Sequence, residues 1–166
     1  MDFPASLAKK YDMYEFLYAQ LLAIKKWADN EFHIIELHMA PGWIAGSHQP
    51  YFNEEQEKQF YKEIQQAQAE IDRAMNDTDI QSKNRELQQK LSIAMTSLTE
   101  VLITKAILLN TDVTSILERL IENIGFDPSP LDYEEPDDYG YRIKSAIDTA
   151  LKEIRATAIS DLEIKH

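Results

Sequence analysis

Between Asp127 and Asp138 six of twelve residues are acidic (127, 132, 134, 135, 137 and 138), and none is Lys or Arg. Tyr133, Tyr139 and Tyr141 stand among them or just beyond. Carboxylates attract Arg and Lys over long range and accept charge-assisted hydrogen bonds from them. Tyrosine adds flat contact area at low entropic cost and a ring face for a guanidinium. Asp132, Tyr133, Glu134, Glu135, Asp137, Asp138, Tyr139 and Tyr141 are therefore the candidate partner-binding residues. The partner they suit is a basic protein. The competing reading is a solvated acidic loop that meets the positive end of the following helix.

Other residue types point to chemistry less specifically. Tyr11, Tyr14 and Tyr18 recur at three and four, a stripe that serves as core or, if exposed, as an interface. Asp29, His33 and Glu36 share one helical face, but a bundle metal site wants a Glu-x-x-His motif from two helices. No such motif occurs, so no metal ligand is assigned. Ser47-His48 is a bare adjacency, and sequence neighbours do not make a triad. With no cysteine, no Gly-x-Ser-x-Gly and no glycine-rich phosphate loop, neither a catalytic residue nor a cofactor is expected.

The elements that must hold these residues are helical. Only 4 glycines and 6 prolines punctuate 166 residues, too few for many short strands. A first helix is expected from Ala5 to about Met39, with Asp2 as a cap, Pro4 in its first turn and Pro41-Gly42 as its stop. The apolar loop up to Phe52 should fold over one end of a bundle. Asn53 and Gln56 fit a capping box for a second helix, whose seam is Phe60, Ile64, Ala67, Ile71 and Ala74. A polar link at 76–79, with Thr78 and Gln81 as the next cap, implies an αα-hairpin.

Ile80 to Leu109 reads as the central helix, with Ile80, Leu87, Leu91, Ala94, Leu98, Val101 and Leu108 on one stripe. Its end, at Leu102, Ile103, Ala106, Ile107 and Leu109, is apolar on several sides and should be packed on several sides. Asn84 and Lys105 fall on the seam, where a polar residue can fix register. Asp112 caps a short helix to Ile124, closed by Gly125-Phe126 in a Schellman turn. A last helix spans about Tyr139 to Leu162. The fold expected is all-α, one domain over residues 1–166, an antiparallel helical bundle of four long helices plus one short helix.

A formal net charge of −12 argues against direct nucleic-acid binding and against an anionic membrane surface. No signal peptide or membrane span is read, so a cytoplasmic site is expected. The charge logic is that of inhibitors, antitoxins, immunity proteins and adaptors that engage a basic protein. Two alternatives stand beside it: a structural protein that assembles, as a homodimer for instance, through the Phe60–Ala74 and Ile80–Leu108 seams, and a carboxylate-rich bundle metalloenzyme.

Overall fold

The computed structural model describes residues 3–105 and 107–163, and among them there are five helices and no strand. These are α1 (Phe3–Gly46), α2 (Glu54–Asn76), α3 (Thr78–Thr104), α4 (Thr111–Ile124) and α5 (Pro136–Leu162). The all-α bundle is as expected. Asp2 and Ala106 lie outside the described residues.

Cross-helix bonds fix how the helices run. Tyr14–Asp161 and Lys25–Asp148 set α1 antiparallel to α5. Trp27–Gln88 and Asn30–Asn84 set α1 antiparallel to α3. Arg119–Glu153 and the Arg142 bond to the Asn123 carbonyl do the same for α4 and α5. α4 also touches α3, which closes a four-helix ring of α1, α3, α4 and α5. Inside it Leu17, Leu21, Ile24, Leu91, Leu98, Leu117, Ile143 and Ile147 have no exposed surface. From α4 the core takes Ile116, Leu117, Leu120 and Ile124, and from α5 it takes Ile143, Ile147 and Ile154.

The central helix is α1, not α3, because α1 makes the broadest contacts with α5, α3 and α2 together. Nor does α3 reach Leu109. It ends at Thr104, where the Lys105 N–H bonds the Val101 carbonyl and the chain turns so that α4 can return to the core. Ile103, Ile107 and Leu108 are consequently 76%, 99% and 74% exposed, so this apolar end is not wrapped on several sides. Lys105 lies at that exposed end, whereas Asn84 is bonded by Asn30 across the α1–α3 interface at 2.8 Å.

The other departures are local. Pro41 does not stop α1, which runs on to Gly46 with Pro41 buried inside it. Proline forfeits one N–H bond, and here burial and the flanking turns hold the helix together. Neither the last turn of α1 nor the loop after it caps the bundle: Trp43 and Tyr51 are 51% and 77% exposed. Instead His48 and Phe52 gather around Phe60 of α2, with ring centroids 4.9 Å and 6.0 Å from it.

The Asn53–Gln56 capping box is present with both its bonds. Asp77, not Thr78, caps α3, and Asn110, not Asp112, caps α4. Gly125 takes φ +78° as expected, but its ψ of 172° sends the chain away extended, leaving Phe126 half exposed rather than folded back. α5 begins at Pro136, three residues before Tyr139. Proline suits a first helical position because the N–H it lacks has no partner there anyway.

Candidate functional site

The acidic stretch is an ordered turn. It lies in the connection Gly125 to Glu135 between α4 and α5, and the Glu134 N–H bonds the Leu131 carbonyl at 3.0 Å to close residues 131–134 into a β-turn. Tyr133 occupies the third position of that turn with φ +65°, a conformation that favours glycine. It is held there from below. Glu134 folds back to accept the Leu131 N–H at 3.0 Å, then receives Arg142 Nε at 2.9 Å and Nη2 at 3.0 Å. The same guanidinium donates to the Asn123 carbonyl at the end of α4 and to the Ser129 carbonyl. One arginine thereby ties α4, the connection and α5 together. Its fork geometry is what allows four acceptors to be met at once.

The electrostatics follow from that clamp. The Arg142 hydrogen bonds hold the Glu134 carboxyl below the usual carboxylate range, and Glu134 in turn raises Arg142. Glu134 is therefore satisfied inside the fold and is not free for a partner. Tyr139 is also withdrawn, being 5% exposed in the core with Arg142 lying 5.4 Å from its ring centre. Burial, then the charge of Glu31, push its phenol up to about 12. Glu31 is raised in its turn by burial. As surface contact residues, Glu134 and Tyr139 are removed from the candidate set: one is consumed by an internal ion pair, the other is covered.

The remaining six stay outside. Asp132, Glu135, Asp137 and Asp138 are exposed, Tyr141 is 69% exposed, and Tyr133 is fully exposed. Asp137 and Asp138 stand in the first turn of α5, where negative charge meets the positive helix end. The helix-end reading thus describes part of the cluster, while Asp132 and Tyr133 lie outside it. Glu135 is the N-cap residue but makes no side-chain capping bond. Tyr141 lines a groove of about 370 Å³ between α4 and α5, together with Arg119, Asn123, Ser145 and Thr149.

Sequence reasoning missed Arg142, the residue that shapes the turn. The only available signal was its place as the first basic residue after the acidic run. Nothing in the spacing says that it reaches back eight positions.

The other candidate groups are dispersed. Asp29 pairs with Lys25 at 3.4 Å, and the described residues bring no three His, Asp or Glu side chains together as metal ligands. Ser47 Oγ donates to the Ile44 carbonyl at 2.7 Å, while His48 Nε2 meets Glu57 Oε1 at 2.6 Å. They do not face each other. Tyr14 is buried and donates to Asp161 at 2.9 Å, whereas Tyr11 and Tyr18 are 52% and 38% exposed. The tyrosine stripe is thus divided between core and surface. No helix is long and apolar enough to cross a membrane among the described residues.

No family model matches the chain, and neither a curated protein nor a solved structure matches it.

Proposed function

We propose that this chain is a protein-binding module of the inhibitor, antitoxin, immunity or adaptor kind, engaging a basic protein through the turn before α5. The observation that carries the reading is Tyr133, which is fully exposed and held at positive φ. A non-glycine residue in that region costs of order 1 kcal/mol or more and persists only where its surroundings impose it. Here the Arg142–Glu134 clamp imposes it, and among the described residues the ring makes no stacking or cation–π contact.

Asp132, Glu135, Asp137 and Asp138 lie within five residues of Tyr133 in the chain and are all exposed. A partner presenting Arg or Lys gains steering from the four carboxylates and a stacking surface from Tyr133. The pre-shaped turn lowers the ordering cost of association.

The test is capture from native extract on the immobilised wild-type chain, on Tyr133→Ala and on the fourfold variant Asp132→Asn, Glu135→Gln, Asp137→Asn, Asp138→Asn. A protein of basic isoelectric point should be retained by wild type at low salt, released at high salt, and lost from both variants. Equal retention of that protein by the fourfold variant would show that the turn is not the site.

A further inference from the structure

A second surface lies on the opposite end of α1 and α5. Tyr11, Glu15 and Tyr18 recur along one face of α1, and Arg155 and Ile159 face them from α5. Between the two helices run adjoining hollows of about 630 and 340 Å³, which share Tyr18, Arg155 and Ile159. The floor is apolar and fixed: Tyr14 is buried and anchored on Asp161, which Lys10 also holds at 3.2 Å. The walls are apolar but open, with Tyr11, Tyr18 and Ile159 at 52%, 38% and 58% exposure.

The charges on this groove are arranged in order. The antiparallel register set by Tyr14–Asp161 and Lys25–Asp148 places Glu163, Glu15, Arg155 and Lys152 in succession along it. The first two make one end acidic and the last two make the other end basic. All four are exposed, and none of them forms an ion pair among the described residues. A surface that is acidic then basic along its length is complementary to itself once turned by a two-fold axis.

We propose that this groove is a homodimer interface, occupied by the same groove of a second copy. With the axis beside Tyr18, Glu15 of each protomer meets Arg155 of the other, and Glu163 meets Lys152. The two Tyr18 rings lie next to the axis, and Tyr11 and Ile159 fill the hollows across it. Each contact occurs twice by symmetry. This surface is distinct from the acidic turn, which the register places at the far end of α1 and leaves free in the dimer.

The experiment is sedimentation equilibrium on the full chain between about 1 and 200 μM, with far-UV circular dichroism confirming the fold of each variant. Wild type should approach twice the 19.2 kDa chain mass. Glu15→Arg and Arg155→Glu should each raise the dissociation constant at least about tenfold, since each sets like charges face to face. The double variant Glu15→Arg, Arg155→Glu should return to within about threefold of wild type, because both symmetric pairs are restored with their signs exchanged. Tyr18→Asp should be monomeric, with two carboxylates forced together at the axis. A wild-type chain that stays at 19.2 kDa to 200 μM overturns the proposal. So does a dimer indifferent to these changes, or a pair of weakened single variants that the double does not rescue.

Discussion

Arg142 grips Glu134 through two parallel bonds, Nε to Oε2 at 2.9 Å and Nη2 to Oε1 at 3.0 Å, and so pins the turn before α5 to the helix that follows it. Lysine carries the charge but not the fork. Arg142→Lys should lower the melting temperature by several degrees, and Arg142→Ala by more, with faster amide exchange from Phe126 to Glu135 in both. The sign of the pH dependence follows from Glu134, whose folded pKa is depressed by Arg142. Its contribution is complete above the ordinary glutamate value of about 4 and fades as pH falls through the folded one. The stability gap between wild type and Glu134→Gln should therefore narrow in acid. A gap that stays constant from pH 7 down to pH 2 would contradict the clamp.

Tyr133 sits at φ +65°. Asparagine tolerates that conformation far better than an aromatic residue does. Tyr133→Asn should stabilise the chain by about 0.5–1 kcal/mol in urea denaturation, by relief of local strain. It should also weaken capture of the basic partner, because the ring is gone while the turn remains. A substitution that improves the fold and harms recognition separates the two roles of this residue.

Gly140 of α5 packs against Phe32 and Ile35 of α1. A Cβ built there would stand 3.0 Å from Ile35 Cδ1 and 3.1 Å from Phe32 Cδ2. Alanine gains about 1 kcal/mol of helix propensity and asks only the tip of Ile35 and the edge of Phe32 to shift. Gly140→Ala should accordingly be close to neutral. Gly140→Val adds two methyl groups to the same space and should cost about 1–3 kcal/mol. Urea midpoints at constant m-value distinguish them.

Tyr139 gives an alkaline signature. Burial and the Glu31 charge raise its phenol to about 12, against about 10 in the unfolded chain. The folded state therefore holds this proton more tightly, so the contribution is full below pH 10 and is lost as pH climbs towards 12. In tyrosinate absorbance, subtracting the Tyr139→Phe curve from wild type should leave one ionisation near pH 12. Glu31→Gln should bring it lower and should itself raise stability at neutral pH, because burial disfavours the Glu31 carboxylate.

The two tryptophans report on packing. Trp27 is 2% exposed and donates to Gln88 at 3.1 Å, while Trp43 is 51% exposed near the end of α1. Acrylamide should quench Trp27→Phe readily and Trp43→Phe only weakly. Comparable quenching of both variants would place Trp27 outside the core.

Periodicity made much of this legible in the sequence. Leu91, Ala94, Leu98 and Val101 could be read as one side of α3 because a stripe at threes and fours fits a helix, and they are its buried side. Asn53 and Gln56 could be read as a capping box because both partners are local. The failures lie where neighbouring residues compete or where a contact is long-range. Asp77 and Thr78 can both cap, as can Asn110 and Asp112, and only the three-dimensional entry angle chooses between them. Pro41 reads as a stop when isolated, but the surrounding fold buries it within a continuing helix. Ile103 at the exposed end of α3 and Ile107 just beyond it carry the same apolar letters as its buried middle. Arg142 could not be foreseen because its four acceptors belong to three residues spread over α4 and the connection, and Glu134 and Tyr139 were misplaced for that same reason.

α2 buries Phe60, Ala67 and Ile71, yet none of them joins the cluster formed by α1, α3, α4 and α5. α2 should therefore open at a lower free energy than the four helices that share the core. Insertions or grafts that loosen this arm should disturb the quartet beneath it less than equal changes in any of the other helices.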